Sequence, residues 1–356
     1  MRQRWTIAAP LVATAVVAAA LLVPLGALLL PLAVPALIAA VVAAVHHAEV
    51  VAHRVGEPFG TLILALAVTA IEVALIVSMM LAGGSDASVL PRDTIFASIM
   101  IIANGAVGLC LLAGGIRHHE QTFRLEGATS ALATLIALAT LSLVLPAFTS
   151  SADGPRYTGV QLAFAAIASL VLWGAFVFVQ TVRHRDYFLP PDDSADELEH
   201  APKPTPAATW TSFVLMLVAL VAVIGLAKLL SPAVEHGIEA AGAPQAVIGI
   251  VIALLVLAPE TFAAVRAARA DRLQTSLNLA LGSALASIGL TIPVVALASV
   301  LLAMPLTLGL APKDLVLLAL TFAVGAITLG TGRTNVLQGA VHLVIFAAFL
   351  VLAFVP

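Results

Sequence analysis

Charge is the first thing this chain is short of. Asp, Glu, Lys and Arg make up 10% of its 356 residues against 62% hydrophobic types, and its mean hydropathy is +1.12. A soluble core of this size could not hide so much apolar surface, which excludes a water-soluble domain and leaves a polytopic membrane protein. Cysteine is nearly absent: Cys110 stands alone. No intrachain disulfide or multi-cysteine metal site can form, and its apolar surroundings read as an inert buried thiol. The net charge of −3 is too small to suggest nucleic acid as a partner. The apolar segments contain neither a His-Glu-x-x-His pair nor a Gly-x-Ser-x-Gly elbow, which argues against an intramembrane enzyme.

What remains is organised by apolar runs of about 20 residues. Eleven are separable, with approximate limits 5–23, 27–53, 58–82, 93–115, 127–148, 157–182, 209–231, 244–265, 275–303, 312–331 and 335–355. Only Pro24 and Gly26 divide the first two, and the first reads as a retained span rather than a cleaved leader. With the N-terminus cytoplasmic, twelve Lys and Arg fall in inside segments against Arg92, Arg156, Lys228 and Lys313 outside. That is the asymmetry of the positive-inside rule, and one helix more or fewer would scramble it. The expected setting is the inner (plasma) membrane, with lipid as the surrounding partner.

One sizeable polar segment, 183–208, carries Asp192, Asp193, Asp196, Glu197 and Glu199 followed by Pro202, Pro204 and Pro206. Its composition predicts a mobile acidic cytoplasmic linker. The expected domains are a leading helix (1–26), a first repeat (27–182), the linker (183–208) and a second repeat (209–356). Five helices per half is an odd number, so the halves must insert with opposite orientation, an arrangement found in secondary transporters.

Glu72 and Glu260 are lone carboxylates inside long apolar runs, 188 residues apart. An ionised acid there is costly unless paired, metal-bound or wet, so each is a functional-site candidate. Two such carboxylates hold either one divalent cation or two protons, and both states are neutral, whereas the empty doubly charged site is costly to populate. That penalty couples cation to proton. A hard cation wants further oxygens, for which Thr69, Ser98, Asn104, Asn278 and Ser283 are the candidates. Pro259, beside Glu260, removes a backbone donor and is expected to loosen its helix. His46, Glu49 and His53 recur at intervals of three and four on one helical face, with Glu57 beyond them, and are candidates for passing protons from the cytoplasmic side. His342 reads as a packed polar residue.

The stretches His53-Arg54-Val55-Gly56-Glu57-Pro58-Phe59-Gly60, Ala258-Pro259-Glu260 with Asn278-Leu279-Ala280-Leu281-Gly282-Ser283, and Thr331-Gly332-Arg333-Thr334-Asn335-Val336-Leu337 resemble the bacterial ChaA-type cation/proton antiporters of the calcium/cation antiporter superfamily. The resemblance implies an all-α fold of eleven transmembrane helices in two inverted repeats, exporting calcium, or sodium or potassium, in exchange for protons. It needs no cofactor besides the transported ion. It also implies that Glu72 and Glu260 are the ion-binding glutamates of the two repeat motifs. Many members carry Gly-Asn-x-x-Glu there, whereas Thr69 and Leu257 stand where the asparagines would be; fewer oxygen ligands leave sodium and potassium open beside calcium. A passive cation channel is the alternative reading.

Overall fold

The computed structural model describes residues 4–23, 26–56, 59–82, 88–190, 204–240, 242, 244 and 246–355. Among them, eleven helical segments are long and apolar enough to cross a membrane. In hydrocarbon every backbone N–H and C=O must find its partner within the protein, and a helix does this locally.

The helices are α1 (Arg4–Leu22), α2 (Leu29–Val55), α3 (Phe59–Ala82), α4 (Leu90–Met100), α5 (Val107–His118), α6 (Leu125–Ala139), α7 (Gly159–Phe178), α8 (Pro206–Ala240), α9 (Ala246–Arg269), α10 (Leu273–Leu301), α11 (Pro312–Leu329) and α12 (Val336–Phe354). A π turn, Ile101–Ala106, joins α4 to α5 within one span, and π turns also end α6 (Thr140–Val144) and α7 (Val179–Arg183). The first two spans are parted by a 3-10 turn, Gly26–Leu28, where Gly26 takes φ +52°. Pro24 lies outside the described residues. Thr158 and Asn335 close the first turns of α7 and α12 as capping boxes with Gln161 and Gln338, each satisfying helix-end donors.

Two compact units cut across the chain halves. One comprises residues 1–90 and 202–256, the other 91–201 and 257–356. In the first, α2 packs on α1, α3 and α8, and Ala48, Ala67 and Met216 meet in its core. Small side chains permit this close approach. His47 pins three helices together: its ring nitrogens lie 3.2 Å from Ser212 Oγ and 3.0 Å from the Thr6 carbonyl.

In the second unit the packing is reciprocal. The span α4–α5 lies against α12, and α10 lies against α7, the partner arrangement two related halves would give. A two-stranded antiparallel pair, β1 (Glu120–Thr122) with β2 (Arg333–Asn335), joins the connections after α5 and α11. Gln121 adds bonds to Ala268 O and Asp271, and Arg124 to Leu189 O. The connections after α5, α7, α9 and α11 thus meet at one end. At the other, Arg92 reaches Gly309 O, Arg156 reaches Thr307 Oγ1 at 2.9 Å, and Lys313 reaches Leu352 O. This division is the alternation that the apolar runs predict. Beside the second end, Tyr157 donates to Leu141 O at 2.6 Å, and desolvation raises its phenol above the ordinary value.

One expectation is corrected. Residues 183–190 are not a free linker: Arg185–Phe188 forms a 3-10 turn, Phe188 packs edge-on against Phe176, and Asn278 donates to its carbonyl at 2.6 Å. A buried aromatic ring and a satisfied carbonyl anchor a segment whose composition alone looks mobile. The acidic residues Asp192 to Glu199 lie outside the described residues. α9 runs on through Pro259, as membrane helices tolerate proline when neighbours re-satisfy the freed group.

Candidate functional site

Glu72 sits on α3 among Val68, Ile71, Leu75 and Ile76 and is 1% exposed. The buried face of α3 recurs at helical spacing, which carries Glu72 inward with its apolar neighbours. Thr69, one turn earlier, is buried on the same face. A carboxylate so placed is affordable only when protonated or provided with positive charge and hydrogen bonds.

Glu260 sits on α9 one residue after Pro259 and is partly buried. Ser283 Oγ of α10 donates to its Oε2 at 2.7 Å. This joins two of the predicted site residues directly. A hydroxyl bonded to an ionised carboxylate makes a strong, short bond, and because a hydroxyl also accepts, Ser283 can offer its oxygen to a cation at the same place.

Asn278 lies five residues before Ser283, about 7.5 Å along α10, and is otherwise engaged. Its Nδ2 donates to Phe188 O, and its Oδ1 accepts from Gln274 Nε2 at 2.9 Å. Gln274 in turn accepts from the Arg124 amide at 2.6 Å. The structure therefore gives Asn278 a role in fastening the turn after α7. Ser98, 1% exposed, donates back to Thr94 O at 3.0 Å. Asn104 is fully buried within the π turn. Its Nδ2 donates to Thr321 Oγ1 at 2.8 Å, and its Oδ1 faces His342 Nδ1 at 3.1 Å.

Of the predicted proton path, His46 is half-buried beside the Trp5 and His47 rings, while Glu49 and His53 are exposed. Glu57 lies outside the described residues. Sequence reasoning passed over His47, the buried histidine of this helix. The signal was available: Ala40, Ala44, Ala48 and Val51 mark the inward face of α2, and His47 lies on it whereas His53 does not. Among the described residues no three His, Cys, Asp or Glu side chains cluster as a metal site, so any cation held here relies on hydroxyls, carbonyls or water beside a carboxylate.

The model of the family described as sodium/calcium exchanger protein matches residues 11–182 and 211–355. The chain belongs to that family. It is therefore a member of the calcium/cation antiporter superfamily, a transporter and not an enzyme, and its fold is the eleven-helix inverted repeat. The chain is 51% identical over 317 residues, covering 89% of this chain and 86% of the relative, to "Putative ionic transporter y4hA" of Sinorhizobium fredii. It is 35% identical over 312 residues, 87% of this chain and 84% of the relative, to "Sodium-potassium/proton antiporter ChaA" of Escherichia coli. The crystal structure of the selenium-substituted Ca2+/H+ antiporter protein YfkE superposes with a TM-score of 0.71 at 17% identity, covering 99% of this chain and 98% of that one, a likeness of fold. The family's two matched stretches leave out 183–210.

Proposed function

We propose that the chain exchanges a metal cation for protons by alternating access, with Glu72 and Glu260 as the groups that load in each cycle. The observation that carries this is Glu72, a carboxylate 1% exposed in a helix without another charge, in a chain of the exchanger family. Neutralising such acids by protons or by a cation gives two states of similar cost, whereas the unloaded ionised state is expensive to move. Ser283 assists at Glu260, and Thr69 and Ser98 are further oxygen donors.

Sodium, potassium and calcium are the cations to compare. The name of the 35% identical relative, a sodium-potassium/proton antiporter, supports the first two, and Thr69 and Leu257 in place of amides agree with an oxygen-poor site. A passive channel finds no support in the family or its named relatives. The excess of Lys and Arg at the connections after α5, α7, α9 and α11 supports a cytoplasmic N-terminus in the plasma membrane, and the halves 27–182 and 209–356 are the proposed repeats.

The deciding experiment sets a pH gradient across vesicles holding the purified protein and adds each cation in turn. Cation-dependent collapse is expected for the intact chain and none for Glu72→Gln or Glu260→Gln, since Gln keeps the size but cannot cycle between charged and protonated forms. Near wild-type flux in either correctly inserted variant would refute the two-carboxylate mechanism.

A further inference from the structure

The fourth span is not one continuous α-helix, and what interrupts it is braced from another helix. The π turn Ile101–Ala106 accommodates one residue more than an α turn, and such turns tend to occur at functional sites. One inserted residue rotates everything beyond it by roughly 100° relative to an unbroken helix. Ser98 lies three residues before the turn, so the turn decides where its hydroxyl points.

His342 of α12, 1% exposed, braces the turn through a side chain that the turn carries. Its Nδ1 lies 3.1 Å from Oδ1 of Asn104, a residue of the turn itself. An amide oxygen only accepts, so Nδ1 carries the proton. Nε2 is then the acceptor for the Thr328 hydroxyl at 3.2 Å. Asn104 Nδ2 is committed to Thr321 Oγ1, whose own hydroxyl donates to Leu317 O at 2.7 Å. One neutral imidazole tautomer satisfies this chain, and it fastens the turn to both α11 and α12.

We propose that His342 is a positioning residue for the exchange reaction: by holding the π turn it fixes the rotational setting of α4 and the aim of Ser98. Its transport consequence rests on the exchange reading above; its structural consequence does not. Two measurements separate them.

In a Cys110→Ala background, Phe349→Cys is combined with Ile95→Cys, Phe96→Cys or Ala97→Cys and treated with a short bifunctional thiol reagent. The Phe96 and Phe349 rings are 5.5 Å apart, so the Phe96 pair should link best with His342 present. His342→Leu should move the preferred link to a neighbouring position, and His342→Gln, which still donates to the Asn104 side-chain oxygen, should keep it on Phe96. In vesicles, without the added cysteines, His342→Leu should raise the half-saturating cation concentration roughly tenfold, the effect of one lost buried hydrogen bond, with maximal flux retained and most of the loss recovered in His342→Gln. If the Leu variant does not accumulate, His342→Met is read the same way. A link that stays on Phe96 in the apolar variant overturns the proposal, as does an equal loss of apparent affinity in the Gln variant. Absence of cation-driven flux in the intact chain would refute the exchange reading, and the cross-links would still decide the role of His342.

Discussion

A methyl group added at Gly339 should separate α5 from α12. An ideal Cβ there would lie 2.5 Å from the Leu112 amide nitrogen, 2.9 Å from its Cα and 3.0 Å from Gly108 O. Ordinary contact begins near 3.5 Å, so the backbones must part by about 1 Å, and backbone cannot swing aside as a side chain can. Overpacking of this kind costs about 1–3 kcal/mol. The same interface provides a graded series. A Cβ on Gly115 would meet Val336 N at 2.9 Å and one on Gly108 would meet His342 Cβ and Leu343 Cγ at 3.0 Å, whereas one on Gly174 of α7, outside this interface, would meet nothing within 4 Å. The expected order of destabilisation by alanine is Gly339, then Gly115, then Gly108, with Gly174→Ala near neutral. Cys110, the chain's one thiol, is buried on α5 and reports opening directly: a thiol-reactive fluorophore should light up as the helices separate on heating. Gly339→Ala should lower that midpoint by several degrees. A midpoint for Gly339→Ala equal to that of Gly174→Ala would refute the close-packing argument.

Three further outcomes are expected. Ser283→Ala removes the 2.7 Å donor to Glu260, so apparent cation affinity should weaken by about tenfold, one charge-assisted hydrogen bond, with insertion unchanged; an unaltered half-saturating concentration in vesicles would exclude Ser283 from the site. Replacing His46, Glu49 and His53 together should slow turnover and shift its pH dependence with little change in cation affinity if they pass protons, and an unaltered pH–rate profile would leave them an ordinary helix end. Substituting Asp192 to Glu199 by a neutral Gly/Ser stretch of equal length should leave transport unchanged, because screening confines the attraction of charges in water to about 8 Å at physiological salt; a salt-dependent loss of apparent affinity would show that the segment gathers cations.

The span count was legible because a membrane demands long apolar runs, and a loop charge such as Arg124 or Arg269 ends one unambiguously. Glu260 and Ser283 were legible as candidates because a polar group in such a run is costly enough to need a reason. Which polar groups meet was not legible. Asn104 and Asn278 looked equivalent to Ser283, yet each spends both amide atoms on structure, one on His342 and Thr321, the other on Phe188 and Gln274. An amide has donors and an acceptor to satisfy and so is readily absorbed by packing, whereas a serine hydroxyl keeps spare lone pairs. The burial of His47 was hidden for a related reason: spacing defines a face but not whether it points inward, and the small residues Ala40 and Ala44 held that information. The anchoring of 183–190 depends on Phe188 reaching Phe176 and Asn278, contacts that composition cannot foresee.

The three π turns have a consequence for any cycle in which the halves trade places. All three, at Ile101–Ala106, Thr140–Val144 and Val179–Arg183, belong to the first half, and among the described residues the second half has none. Two halves identical in geometry would make the inward-open and outward-open forms equivalent by a two-fold rotation, and so equal in energy. Widened turns in one half only would remove that degeneracy, so in such a cycle the two forms would differ in energy and the empty protein would rest on one side.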